Sequence, residues 1–248
     1  MSPPLPVTGL DERFDGIARL LGRDALARLG RAHVCVVGLG GVGSWAVEAL
    51  ARSGVGRMTL VDFDVVSVGN INRQIHALEP TLDQPKAQVL ADRVRLIHPR
   101  LRLEMIPARF GEETAARILE TPYDCLLDAI DGAANKSRLI AGCRARHIPI
   151  VTSGGAGGRR DPTRVRIDDL AFSSHDRLLA QVRAILRQDY AFPRGHAPFG
   201  VPCVHSTERP VPAQTPDPAR PIFGTAVFVT GTFGFALASL AVKRILGP

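Results

Sequence analysis

The stretch VVGLGGVGSWAVEAL, from Val36 to Leu50, constrains this chain more than any other. An apolar run enters a turn with four glycines in six positions, and a helix-forming segment leaves it. So short and apolar a run reads as a strand buried on both faces. Glycine permits a turn tight enough for the helix to start at once. The helix then points its free N–H groups and its positive end at whatever lies over the turn. That geometry suits phosphate, and it fits a nicotinamide dinucleotide and ATP equally. The turn alone says nothing of the reaction.

The same rhythm repeats downstream. HVCVVGLG reads as a strand and GSWAVEALARSG as a helix closed by Gly54; RMTLVDFD is the next strand. PKAQVLADRVRLIHP is a helix bracketed by Pro85 and Pro99, followed by a strand LRLEMIPA and a helix EETAARILE. YDCLLDAID, AANKSRLIAGCRARH and IPIVTSG continue as strand, helix and strand. Short strands alternating with helices predict an α/β fold: a Rossmann-like, mostly parallel sheet with helices on both faces. Beyond Gly158 the rhythm breaks. TRVRIDDL is expected as a strand leaving the parallel order, and DRLLAQVRAILRQDY as a helix. Residues 190–221, with RPVPAQTPDPARP, read as a flexible, proline-rich, exposed loop. The 248 residues thus read as one domain, with a nucleotide-binding half over 13–152 and a substrate- and dimer-related part over 153–248.

Ile222 to Val242 carries no charge and is long enough to span a bilayer. Its Gly, Ala, Ser and Thr content suits close helix packing as well as a membrane, and a buried helix, in the core or at a dimer interface, is the favoured reading. The N-terminal MSPPLPVTGLDERF has no apolar signal core, so a cytoplasmic protein with reduced thiols is expected. None of the four cysteines forms a CxxC pair, which argues against a zinc site. Cys35 and Cys125 sit in apolar runs, and Cys203 reads as an inert packed thiol. The net charge of +7 suggests an anionic partner.

The glycine turn comprises Gly38, Gly40, Gly41 and Gly43, and Asp62 closes the next strand where an acid accepts hydrogen bonds from ribose. A dehydrogenase would be the default. The following stretch departs from it: Asp62, Asp64, Asn70, Arg73, Gln74 and Lys86 fall in one segment. Arg73 and Lys86 suit neutralisation of a triphosphate, which hydride transfer does not need. An enzyme that attacks an α-phosphate with a carboxylate does need it, since such catalysis is mostly positioning and charge stabilisation.

GLGGVGS, LVDFDVVSVGNINRQ, QPKA and LLDAID together resemble the adenylating domain of the ThiF/MoeB and ubiquitin-activating superfamily, over roughly residues 13–152. The resemblance implies ATP over the glycine turn, ribose on Asp62, and phosphates on Asn70, Arg73 and Lys86. It also implies Mg²⁺ held by Asp131, which assists adenylation. It implies a homodimer in which an N-terminal arginine, Arg19 or else Arg13, reaches the partner's ATP. RFDGIARLLG, NRQIHAL, TSGGAGGRRDPTRVRIDDLA, VPCVHSTE and TGTFGFALAS further resemble the tRNA threonylcarbamoyladenosine dehydratases over nearly the whole chain.

That family's implied reaction adenylates the threonyl carboxylate of the modified adenosine. The modification's own carbamoyl group then expels AMP, with net loss of water. The attack is intramolecular, so no protein nucleophile is required. Some relatives carry a cysteine where this chain has PARPIFG, and some dock a sulfur-transfer protein.

Arg159, Arg160, Arg164 and Arg166, with Arg183 and Arg187 one helical turn apart, are expected to contact tRNA phosphates, as are Arg93, Arg95, Arg100 and Arg102. His205 is expected to cap a loop, with substrate contact as the alternative. Two other functions stay open: an adenylyltransferase for a ubiquitin-like sulfur carrier, and a non-catalytic nucleotide-binding dimer.

Overall fold

Helices α1 (Asp15–Leu21) and α2 (Arg23–Arg31) lead into strand β1 (His33–Val37), whose five residues are all buried. A computed structural model describes residues 12–214 and 223–247 of the chain. Helix α3 (Gly43–Arg52) crosses over to β2 (Arg57–Val61), and α4 (Lys86–Ile97) crosses to β3 (Arg102–Ile106). Then α5 (Glu112–Leu119) brings the chain back across the sheet to β4 (Cys125–Asp128), on the other side of β1. Helix α6 (Ala133–Ala145) leads to β5 (Ile150–Ser153). These five strands are parallel, in register Val34↔Met58, Val34↔Cys125 and Leu127↔Val151. Val34, Cys35, Val36, Leu126 and Leu127 are fully buried, as strands covered on both faces must be.

The final third departs from alternation, as RVRIDD suggested. Strand β6 (Val165–Asp169) runs antiparallel to β7 (Pro202–Ser206), and β7 pairs in parallel with β5. The sheet order is β3-β2-β1-β4-β5-β7-β6. Helix α7 (Arg177–Asp189) lies between β6 and β7 in the chain, and α8 (Val227–Leu246) closes it.

The expectation of an exposed loop over 190–221 holds for residues 194–198, which are irregular and exposed, and is corrected at β7 and at three apolar side chains before it. Residues 203–206 of β7 are buried, and Phe192, Phe199 and Val201 join the core. The prolines misled because only Pro202 falls in the strand, at its first position, where proline is tolerated. Residues 215–222 of the proline-rich run lie outside the described residues, as do 1–11.

The apolar C-terminal segment is a helix laid against the sheet. Val229, Phe233, Leu237, Leu240 and Ala241 face the main core. A Cβ on Gly234 would meet Trp45 Cβ and Val42 O at 2.6 Å, so α8 and α3 approach as closely as backbones allow. Half of its most apolar window is buried in the protein. Its last turn is closed by the Arg28 guanidinium, which donates to the Ile245 carbonyl at 2.8 Å.

Candidate nucleotide-binding site

The sheet order reverses between β1 and β4, and open α/β sheets bind ligands in the crevice beyond the strand ends at such a point. The glycine turn fills that position. Gly38 has φ +89°, and a Cβ there would lie 2.7 Å from the Ala129 carbonyl oxygen. A Cβ on Gly43 would lie 1.8 Å from the Gly38 carbonyl oxygen, so the turn and the start of α3 are in backbone contact. Gly41 lies against Arg73, and Gly40 faces the Gln74 amide nitrogen.

Asp62 follows β2 and closes over the turn. Its Oδ2 accepts from the Leu39 N–H at 2.6 Å and its Oδ1 from the Asp64 N–H at 2.8 Å. Both oxygens are therefore oriented, with lone pairs left for a diol. Lys86, first residue of α4, is buried and pairs with Asp64 at 2.9 Å. The side chain of Asp64 is 45% exposed, so the ammonium reaches the surface through its partner. Arg73 donates to the Gly69 carbonyl at 2.6 Å and to Asn72 Oδ1 at 2.9 Å, while its own carbonyl takes the Trp45 indole N–H. Burial holds its guanidinium pKa below the usual value. Asn70 turns its Oδ1 inward, accepting from the Ser67 N–H at 3.2 Å. Asp131 stands exposed on the turn between β4 and α6.

Two buried polar atoms beside the turn have no partner: the Ser44 hydroxyl, in the first turn of α3, and Gln74 Oε1. Buried polar groups are normally satisfied. The Ser44 hydroxyl can donate to a phosphate oxygen, and Gln74 Oε1 can accept from an O–H or N–H of the same ligand. Donor amides, a carboxylate poised for a sugar, and two cations on one side match a nucleoside triphosphate.

Residues 15–248 match the ThiF family. The chain belongs to the ThiF family. Within it, the tRNA threonylcarbamoyladenosine dehydratase of Haemophilus influenzae is 41% identical over 97% of this chain and 95% of its own length. The Escherichia coli tRNA N6-threonylcarbamoyladenosine dehydratase, solved in complex with ATP, superposes with a TM-score of 0.89 at 45% identity, covering 95% of this chain and 94% of that one. The E. coli molybdopterin-synthase adenylyltransferase is 40% identical over only 52% of this chain and 51% of its own length. The likeness to the dehydratases thus takes in the second half of this ThiF-family chain, whereas the likeness to the adenylyltransferase spans about half of the chain.

That second half builds a loop beside the crevice. The glycine run Gly154–Gly158 leaves β5 at the same sheet edge as the glycine turn. Asp176 both caps α7, through the Leu179 N–H at 3.0 Å, and accepts from the Gly155 N–H at 2.8 Å. A Cβ on Gly154 would lie 2.3 Å from that carboxylate, and Gly158 has φ +73°.

Arg159 is corrected as a tRNA contact. Its side chain is 2% exposed, lies 3.6 Å from Asp176, and donates to the Glu208 and His175 carbonyls at 2.7 and 2.9 Å. It is part of the scaffold of the loop. Arg160, Arg164 and Arg166 are exposed at or near the crevice edge, where β6 begins. Arg183 is half-buried and donates to the Ser173 hydroxyl, and Arg187 stacks over Phe199 at 5.1 Å. Arg187 lies about 15 Å along α7 from its start, away from the crevice edge.

The other arginines are also placed elsewhere. Arg93 is held bidentate by the buried Glu48 at 2.7 and 3.0 Å, and Arg95 pairs with Asp92 at 2.6 Å. Arg100 and Arg102 flank the start of β3, at the opposite edge of the sheet.

His205 is buried in β7, with Nε2 2.7 Å from Asp168 Oδ2 and Nδ1 accepting weakly from the Ser174 N–H at 3.5 Å. It braces β6 and the segment before α7. All four cysteines are buried, and burial pushes the Cys125 thiol up to about 12 and the Cys203 thiol higher still. Cys203 is fully buried in β7, the surroundings expected for a packed thiol. Arg19 pairs with Asp15 at 3.1 Å on α1, whose neighbour Phe14 packs at Gly54, beyond the far end of α3.

One pair at the site was invisible in the sequence. Lys136 and Asp128 are both fully buried, 2.9 Å apart, beneath the turn that carries Asp131. A lysine in a helix ordinarily reads as a surface charge; only the first aspartate of LLDAID, at the end of an apolar run, hinted at a buried acid.

Proposed function

We propose that this chain is an ATP-dependent tRNA threonylcarbamoyladenosine dehydratase. The observation that carries the reading is the extent of the likeness. It runs through the glycine-loop and α8 half at 95–97% coverage, whereas a molybdopterin-synthase adenylyltransferase and a sulfur carrier protein adenylyltransferase match 52% and 45% of the chain.

In this reading, the backbone amides of Gly38 to Gly43 and the start of α3 cradle the phosphates. Asp62 accepts from the ribose hydroxyls. Arg73, Lys86, Asn70 and Gln74 line the phosphates from the β2–α4 segment, and the Lys86 ammonium, held by Asp64 through one N–H, has further donors for them. A single exposed carboxylate, Asp131, fits Mg²⁺, which commonly takes one or two carboxylates plus substrate phosphates. Bound there, the ion would neutralise charge building on the phosphates.

The threonyl carboxylate oxygen attacks the α-phosphorus, and pyrophosphate leaves with the broken P–O bond. The carbamoyl group of the same nucleoside then attacks the acyl carbon, gives up a proton, and AMP departs carrying the former carboxylate oxygen. The nucleoside has lost one water. Arg73 and Lys86 stabilise charge on the phosphates, and the glycine loop after β5 holds the modified base. No cysteine takes part, which accords with four buried thiols whose pKa values burial raises.

The enzyme acts as a homodimer. Phe228 and Phe235 on α8 and Val68 and Ile71 on the β2–α4 segment are exposed apolar side chains, and Asn72 joins the two segments through the Thr225 carbonyl at 2.9 Å. Arg19 lies remote from its own glycine turn, so any phosphate it reaches belongs to the other copy. Arg160, Arg164 and Arg166 meet tRNA phosphates.

The test is incubation with ATP, Mg²⁺ and tRNA bearing threonylcarbamoyladenosine. AMP release and loss of one water from the nucleoside are expected. AMP or pyrophosphate exchange with a ubiquitin-like protein, and none with the tRNA, would overturn the reading.

A further inference from the structure

The Lys136–Asp128 pair has more connections than a buried ion pair needs. Lys136 Nζ lies 2.9 Å from Asp128 Oδ2, donates to the Ile130 carbonyl at 2.9 Å, and reaches the Asp128 carbonyl at 3.5 Å. Asp128 Oδ1 accepts from the Ile130 N–H at 3.1 Å and Oδ2 from the Thr152 hydroxyl at 2.7 Å. The Ser153 hydroxyl donates to the Asp128 carbonyl at 3.4 Å. The ammonium therefore grips both ends of the turn Asp128-Ala129-Ile130, immediately before Asp131. Through Thr152 and Ser153 the same network is tied to the end of β5, where the glycine loop starts.

Stability alone does not call for this arrangement. Replacing a buried ion pair by well-packed apolar side chains is commonly neutral or stabilising. What an ammonium adds is direction: N–H groups aimed at named carbonyls, with no slack in a site sealed from water.

We propose that Lys136 is a positioning residue that fixes the Asp128–Ile130 turn and so aims the Asp131 carboxylate into the crevice. The inference rests on the role proposed above for Asp131. Lys136 touches no substrate; it acts through the Ile130 carbonyl. A turn free to shift by about 1 Å at the reacting centre is expected to lower turnover roughly 100-fold, while leaving the purine and ribose contacts, and so ATP affinity, nearly intact.

Three variants of the full chain test this: Lys136→Met, Lys136→Gln, and Asp128→Leu combined with Lys136→Met. Hydrogen exchange followed by mass spectrometry on residues 127–133 reads the turn without any substrate. The double variant is expected to melt near the wild type, yet to exchange at least about tenfold faster in that segment. In the AMP-release assay kcat is expected to fall about 100-fold, with KM for ATP changing less than about threefold.

Lys136→Gln keeps an N–H donor for the Ile130 carbonyl and is expected to retain more kcat than Lys136→Met. That comparison carries the test if the double variant does not fold. Unchanged exchange in a folded double variant, or equal kcat for Gln and Met at matched Tm, overturns the inference. A wild-type chain that releases no AMP with modified tRNA overturns the proposed function instead, and the exchange data still decide what Lys136 does.

Discussion

Gly43→Ala is the sharpest probe of the glycine turn. Gly43 is the first residue of α3, where alanine would ordinarily be favoured over glycine by up to about 1 kcal/mol. Here the new Cβ would lie 1.8 Å from the Gly38 carbonyl oxygen, and 3.0 Å from its carbon. The closest carbon–oxygen contacts in proteins run at about 3.3–3.6 Å, so turn and helix must separate by about 1.5 Å. Both atoms being backbone or Cβ, no rotamer change relieves the overlap.

Overpacking of this kind costs about 1–3 kcal/mol, and a chain of this length shifts by about 2–4 °C per kcal/mol. A fall in Tm of about 2–12 °C is therefore expected by calorimetry. The amides that cradle phosphate move with the turn, and a displacement above 1 Å is expected to cost at least about 100-fold in adenylation, read as ATP–pyrophosphate exchange. Gly40→Ala is the stability control, because its Cβ would meet only Gln74 Nε2, at 3.9 Å; its Tm is expected within about 2 °C of the wild type. A Gly43→Ala protein that melts like the wild type and keeps its exchange rate within about threefold would refute the reasoning.

Further expectations concern burial and charge. Arg159→Met leaves the buried Asp176 carboxylate without its cation and two carbonyls without donors, so urea denaturation should show a loss of about 3–5 kcal/mol; a near-neutral result would return Arg159 to the surface cluster. Arg160→Ala and Arg164→Ala should leave stability within about 0.5 kcal/mol, and each should reduce the salt dependence of tRNA affinity by roughly one unit of slope; a slope identical to wild type in both would remove them from the interface.

His76 is buried with both ring nitrogens unpartnered, and burial, with Lys86 and Arg93 nearby, holds its pKa at about 4. The unfolded chain protonates this ring from pH 6.5 downward while the folded one stays neutral. Its contribution is therefore intact above pH 6.5 and is lost as pH falls from 6.5 to about 4, by up to roughly 3 kcal/mol. His76→Leu should flatten the stability profile over that window, and an unchanged profile would mean the ring is not buried neutral. Native protein should leave all four thiols unreactive toward an aromatic disulfide reagent until it is unfolded, and fast labelling of Cys203 would contradict its burial.

The architecture was largely legible because it rests on local signals. Runs such as HVCVV and CLLD are too short and too apolar to be anything but doubly covered strands, and the helices between them carry their own stop signals in Gly54 and Pro99. The departure of TRVRIDDL from the parallel order was legible too, because the strand–helix rhythm breaks beyond Gly158. Strand β7 was not: PCVHS is short, opens on proline and sits amid loop-forming residues. Its burial comes from pairing with β5 and β6, which are distant in the sequence.

The site divides in the same way. Gly38, Gly43 and Asp62 announce themselves because their chemistry depends on backbone conformation and on position at a strand end. Arginines do not announce whether they face solvent. Arg159 and Arg160 are adjacent and identical in type, yet one is sealed between Asp176 and two carbonyls and the other is exposed.

The sequence by itself determined the kinds of element, their order, and a phosphate-binding turn, because periodicity, glycine and proline act over a few residues. Tertiary structure decided which charges meet. Parallel strands share one carboxyl edge, and that alone brings the glycine turn, Asp62, Lys86 and Asp131 to a single crevice. It also turned Lys136 from an apparent surface lysine into a buried cation, since burying an ammonium requires the carboxylate of Asp128 and the carbonyl of Ile130 in place around it.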